Sequence, residues 1–160
     1  MIRALILAVV ILAQPELIER TLALVGGQPI TLGDTRAAAA LGLFDPNLSP
    51  ASDPLSRLVD RELILREVQR YGPAAPAESA VEARLDEIHK QFADAAALNR
   101  VLDSTGFTEV RLRSWVRDDL RARTYLAQRF ASATAATRIE LINDWLSDLR
   151  RRTDVVILPQ

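Results

Sequence analysis

The sequence predicts a mainly α-helical domain with a small β-sheet, which an N-terminal hairpin and a C-terminal strand form together. Three observations lead to this fold class. Residues 21–32 contain two short β-prone runs around a Gly-Gly pair, and most of the following chain carries apolar residues at helical spacing. Three successive β-branched residues, 155–157, precede Pro159. Neither short β segment satisfies its backbone groups alone, so we expect Thr21–Val25 to pair with 155–158.

Composition limits the size and the partners of this domain. A chain of 160 residues with 49% hydrophobic and 26% charged residues is long enough for one buried core. The formal net charge of −1 gives no overall field that would attract a phosphate backbone, so nucleic acid is not an expected partner. The absence of Cys excludes disulfides, thiol chemistry and Cys-ligated zinc.

The N-terminus has the pattern of a secretory signal peptide. A short positive start at Arg3 precedes an unbroken apolar run from Ala4 to Ala13, and Gln14 and Pro15 follow at once. Such a run rises only about 15 Å as a helix, half of a bilayer core of about 30 Å, which argues against a stable membrane anchor. We therefore predict a signal peptide over residues 1–13 and a single exported domain over 14–160, with a buried N-terminal helix as the alternative.

The first predicted element after the leader is a β-hairpin within residues 20–32. Gly26 and Gly27, followed by Gln28, supply the positive φ angles that tight hairpin turns need. Pro29 lacks a backbone N–H and suits an edge strand or the start of the second strand.

Capping and stop signals divide the rest of the chain into six helices. Thr31 with Asp34 resembles a capping box, Asp53 before Pro54 begins a second helix, and Gly72 ends it. The predicted helices run from Thr31 to Leu43, from Asp53 to Tyr71, across Val81 to Phe92, from about Ala95 to Ser104, from Thr108 to Phe130 and over 138–152.

The connections and the last helix complete the pattern. Residues 44–54 contain three prolines and form a loop, while 131–137, ASATAAT, predict a tight connection or a frayed turn. The last helix is followed by the strand, and we expect 138–158 to close on the hairpin, because the two β segments need each other as partners. One side of this helix is apolar and consists of Ile139, Ile142, Trp145, Leu146 and Leu149.

Catalytic and metal-binding patterns are missing from the sequence. His89 is the only His, and without Cys no Cys-His pair can form. Asp118 and Asp119 are adjacent, so a helix separates them by about 100° and they do not face each other as an acid pair. No metal-ligand spacing and no phosphate loop occurs. We therefore expect no catalytic residue, no cofactor and no metal, and hence no enzyme.

The long helix from Thr108 to Phe130 raises the alternative of a nucleic-acid face, because it interleaves arginines with Trp115 and Tyr125. Two observations weigh against that interpretation. Acidic residues share the helix, and Arg is the usual basic residue throughout a chain with a single Lys. The arginines in question are Arg111, Arg113, Arg117, Arg121, Arg123 and Arg129.

Three segments in this order resemble the core domain of SurA-type periplasmic chaperones. They are RTLALVGGQPITLGDTRAA, LVDRELILREVQRYG and STGFTEVRLRSWVRDDLRARTYLAQRF, which cover most of residues 20–130. The family motifs are "VNGxxIT-x-x-D", "LIDxxLxxQxAxxxG" and "GLTxxELRxxLRxxLxxxxxLxxxF". The residues that match are Val25, Gly26, Gly27, Pro29, Ile30, Thr31 and Asp34, then Leu58, Val59, Asp60, Leu63 and Gly72, and finally Gly106, Thr108, Leu112, Arg117, Leu120 and Phe130.

This resemblance implies an ATP-independent periplasmic chaperone that assists exported or outer-membrane proteins. Such chaperones carry parvulin-type isomerase domains between the helical region and the closing helix. Only a few residues separate Phe130 from the helix at Arg138, so no isomerase module fits and we expect binding without catalysis. The implied partners are unfolded or extended polypeptides, and a homodimer formed by domain swapping is a further expectation. A non-catalytic adaptor of an envelope complex is the alternative.

Four aromatic residues on the amphipathic helices are the candidate polypeptide-binding residues. Large aromatic side chains on a concave surface could contact extended peptides, but core packing explains the same residues equally well. The candidates are Phe92, Trp115, Tyr125 and Phe130.

Overall fold

A computed structural model describes residues 20–159 of the chain. The predicted signal peptide, residues 1–13, lies outside the described residues. The described part is mainly helical with one small antiparallel sheet, which confirms the predicted fold class. In chain order the elements are β1 (Thr21–Val25), β2 (Gln28–Thr31), α1 (Leu32–Ala40), α2 (Pro54–Tyr71), α3 (Glu78–His89), α4 (Ala95–Thr105), α5 (Glu109–Arg129), α6 (Ala135–Arg152) and β3 (Val155–Ile157).

The sheet has the order β2-β1-β3, so the first strand lies between the second and the last. Gly26 and Gly27 form the hairpin turn with φ angles of +54° and +87°, which residues with a side chain rarely adopt. Pro29 lies in β2 at the edge of the sheet, where its missing N–H costs no ladder bond.

The C-terminal strand closes the domain against β1, as the sequence predicted. Val156 lies opposite Leu24 in an antiparallel register. Backbone hydrogen bonds flank this pair, from the Gly26 N–H to the Asp154 carbonyl at 2.7 Å and from the Leu158 N–H to a β1 carbonyl at 2.9 Å. The two ends of the described chain are therefore joined by one sheet.

Helix α2 is the centre of the core. It packs against α1, α5, α6 and both strands of the hairpin. Asp53 caps its start, accepting a hydrogen bond from the Ser56 N–H at 2.8 Å, and Gly72 ends it in a left-handed conformation. Between these caps Leu63, Ile64 and Val68 are buried by the surrounding elements. Burial on several sides explains why the apolar residues of this helix are not confined to one narrow stripe.

Three predicted boundaries were wrong. Helix α1 ends at Ala40, not Leu43, because Gly42 turns the chain with φ +63°. Helix α3 ends at His89, so Phe92 lies beyond it. Helix α6 begins at Ala135 rather than 138, since Thr134 caps it and the alanines that follow favour a helix.

Candidate polypeptide-binding site

Trp115, one of the four predicted contact residues, is a core residue. Only 9% of its surface is exposed. Its ring meets Phe107 edge-on at 5.6 Å between centroids, and the guanidinium of Arg61 lies 3.7 Å from its ring centre. These contacts hold α5 against α2 and against the segment between α4 and α5 that contains Phe107. Packing therefore accounts for Trp115.

Tyr125 and Phe130 belong to one aromatic cluster around Trp145 of α6. Their ring centroids lie 6.0 Å and 5.9 Å from that of Trp145, and Tyr71 stacks on Tyr125 at 6.0 Å. Tyr125 is 7% exposed, whereas Phe130 is half-buried at the end of α5. Phe92 is also half-buried and makes no ring contact with this cluster among the described residues. The structure thus brings two of the four candidates together, and client contact by any of them stays a prediction.

The arginines of α5 are shared among carboxylates of other elements. Arg113 donates to Glu78 at 2.8 Å and also pairs with Glu82, while Arg117 approaches Glu78 at 3.2 Å. Arg111 pairs with Asp34. The helix therefore presents arginines that are largely neutralised, which differs from the open positive stripe of a nucleic-acid face.

The single histidine is an exposed residue. His89 Nε2 lies 3.2 Å from a carboxylate oxygen of Glu109, and both side chains are substantially exposed. Across residues 20–159, no group of His, Asp and Glu side chains is arranged to hold a metal ion. None of the helices described is long and apolar enough to cross a bilayer.

An apolar groove lies between the C-terminal part of α5 and the N-terminal half of α6. Its volume is about 450 Å³, within the range of ligand-binding pockets. The floor consists of the buried residues Leu126 and Ile142. The walls are small or apolar and open to solvent, and they are formed by Ala127, Ala135 and Ile139.

Ile139 differs from the rest of the apolar side of α6, because it lies outside the core. Its surface is 56% exposed, while Ile142 and Trp145 further along the same side are buried. Helix α6 packs against α2, and none of the described side chains between Ala135 and Leu141 is buried. The apolar stripe therefore extends beyond the core contact and lines the groove instead.

The polar rim of the groove contains Asn47, Arg123 and Arg138. Arg123 Nε donates to Asp45 at 2.5 Å, so this guanidinium is paired. Arg138 donates from Nη2 to the Ala133 carbonyl at 3.4 Å and forms no ion pair with a described carboxylate. No sequence pattern indicated a role for Arg138 or the groove-lining position of Ile139. The run of small residues 131–137, which extends into the first turn of α6, was the available signal, because it leaves space beside larger neighbours.

A second, smaller cleft of about 200 Å³ lies between β2, α2 and α5. Its lining is mainly polar and includes Arg61, Glu62 and Arg111 together with Trp115. Burial raises the pKa of Glu62 above its ordinary value, partly offset by the nearby Arg61. Both arginines already pair with carboxylates, so this cleft is less suited to apolar polypeptide segments.

No protein-family model, curated protein or solved structure matches this chain. The likeness to SurA-type chaperones consequently rests on the three sequence motifs alone.

Proposed function

We propose that this domain is an ATP-independent, exported chaperone that binds apolar segments of non-native polypeptides in the groove between α5 and α6. The observation that carries the proposal is the exposure of Ile139, at 56%, along an apolar groove of about 450 Å³. A large aliphatic side chain in such a position gains free energy when a partner covers it, at about 25 cal/mol for each Å² removed from water.

The dimensions of the groove favour weak and tolerant binding. It accommodates a few side chains and not a folded domain. Its walls of Ala127, Ala135 and Ile139 offer few hydrogen-bonding groups that would demand one particular sequence. A holding chaperone needs this combination, because its clients differ in sequence and must dissociate again.

Two features of the sequence support the proposal that this domain acts as a chaperone outside the cytoplasm. The apolar run from Ala4 to Ala13 has the pattern of a leader, and the three motifs resemble those of periplasmic chaperones. The connection between Phe130 and α6 is too short for an isomerase module. The proposal is therefore for binding without prolyl isomerisation.

Light scattering from a heat-aggregating client tests the role of the groove. The mature domain should slow aggregation, and Ile139→Asp should abolish the effect by placing a charge in the apolar wall. Val110→Asp is the matched control, because Val110 is 78% exposed near the start of α5 and lies outside the groove. Equal activity of the two variants would contradict binding in the groove.

A prolyl-peptide isomerisation assay on the same preparation tests the absence of catalysis. We expect no acceleration over the uncatalysed rate. Isomerase activity that persists through repurification would overturn this part of the proposal. If the wild-type domain fails to slow aggregation even in several-fold excess, the adaptor role with one fixed partner becomes the better account.

A further inference from the structure

We infer that the groove prefers polypeptide segments that carry a carboxylate next to their apolar side chains, and that Arg138 receives this carboxylate. The inference rests on the proposed function and specifies which polypeptides the groove selects. It depends on the hydrogen-bonding state of Arg138, on the charge of the groove and on the openness of its walls.

Arg138 has hydrogen-bonding capacity that its surroundings do not use. Its Nε atom is buried and has no hydrogen-bond partner among the described residues. Its contact from Nη2 to the Ala133 carbonyl is long, at 3.4 Å. The residue as a whole is only half-buried, and its Nη1 donates no hydrogen bond to a described residue, so the terminal nitrogens are the donors that an incoming partner can reach. Its planar arrangement of donors matches a carboxylate, which two parallel hydrogen bonds can engage.

The groove is positively charged because its lining residues include two arginines and no acid. Asp45, whose side chain is buried in the adjacent loop, neutralises Arg123. No ion pair of the described residues neutralises Arg138, which leaves one net positive charge beside apolar walls. An acidic segment complements this charge, whereas a basic one is repelled.

The occupant is a polypeptide segment and not a fatty acid, although both combine a carboxylate with apolar groups. Ile139, Ala127 and Ala135 are all exposed, so the groove is an open trough along two helices. A trough suits side chains that project from a polypeptide lying across it, whereas a long acyl tail requires enclosure on all sides.

Fluorescence anisotropy with two short fluorescein-labelled peptides tests the inference. Both peptides are rich in Leu and Ala, and they are identical except that one has Glu where the other has Gln. The wild-type domain should bind the Glu peptide about fivefold more tightly at low salt, and added salt should reduce the preference. Arg138→Gln should remove the preference while still binding the Gln peptide. Arg152→Gln is the matched control, because Arg152 is exposed at the far end of α6 and its replacement changes the net charge equally.

The outcomes separate this inference from the proposed function. Binding of neither peptide would contradict polypeptide binding itself. Equal binding of both peptides would overturn the carboxylate preference and leave groove binding intact, and a preference that survives Arg138→Gln would overturn the role of that residue. Tighter binding of laurate than of the Glu peptide, measured by displacement, would overturn the polypeptide as occupant.

Discussion

Leu24 of β1 lies directly opposite Val156 of β3, and this pair joins the two ends of the described chain. The flanking bonds at Gly26 and Leu158 place Leu24 and Val156 at a hydrogen-bonded position of the antiparallel ladder. Val156→Pro removes a ladder bond in this position. We expect the free energy of unfolding to fall by about 3 kcal/mol, measured by urea denaturation.

Ile157→Pro provides the control for this prediction. The alternation of an antiparallel pair turns the Ile157 N–H away from β1, so its loss removes no bond of the β1–β3 ladder. We expect this variant to be clearly more stable than Val156→Pro. Equal stability of the two variants, or an unchanged melting temperature for Val156→Pro, would contradict the ladder as described.

The elements of the sheet were predictable from the sequence because local signals mark them, and their closure was predictable because neither short segment satisfies its backbone groups alone. Gly26 and Gly27 demanded a tight turn, Thr31 with Asp34 demanded a helix start, and the final β-branched run needed a partner strand. Each signal acts within a few residues, so the chain pattern alone contains it.

The groove was not predictable, because it depends on how far two helices diverge in space. Ile139 and Ile142 are three residues apart and lie on the same side of α6, but only Ile142 is buried. Periodicity cannot distinguish a core residue from one that lies on the same helix side beyond the core. The burial of Trp115 and Tyr125 depends likewise on neighbours that are distant in sequence, Arg61 and Trp145.

Asp119 of α5 and Arg61 of α2 form a largely buried ion pair, whose disruption provides the second prediction. Arg61 Nε donates to Asp119 at 2.7 Å, and the side chains are only 14% and 12% exposed. Asp119→Ala leaves the Arg61 charge buried without its partner, so the free energy of unfolding should fall by about 3–5 kcal/mol.

Replacing both partners separates two contributions to the free energy of unfolding: the destabilisation by an unpaired buried charge and the net stabilisation by the ion pair itself. Arg61→Met combined with Asp119→Leu removes both charges and keeps apolar volume, so it should cost less than Asp119→Ala alone. Chemical denaturation of the wild type and both variants measures the difference. A loss of under about 1 kcal/mol for Asp119→Ala would show that the pair behaves as an exposed one.

Asp60 provides a prediction on pH. Burial raises the pKa of Asp60 above its ordinary value, since desolvation outweighs the hydrogen bond from Ser49 at 2.6 Å and the attraction of Arg150 at 2.7 Å. A carboxyl group with a raised pKa binds its proton more tightly in the folded protein than in the unfolded chain. Its contribution to stability is therefore greatest at low pH and is lost as pH rises through the folded-state pKa.

The comparison of the wild type with Asp60→Asn isolates this effect. We expect the free energy of unfolding of the wild type, minus that of the variant, to increase as pH is lowered from about 7 to about 4. Urea denaturation at several pH values measures it. A difference that decreases over this interval would mean that Arg150 and Ser49 dominate over burial.

Site-specific crosslinking tests the central claim, which is that non-native polypeptides occupy the groove between α5 and α6. A photoreactive amino acid replaces Ile139 in one variant and Val110 in another, and each is irradiated with an unfolded client. The account predicts crosslinked client at position 139 and little at position 110, although Val110 is the more exposed of the two. Equal crosslinking at both positions, or crosslinking at 110 alone, would contradict it.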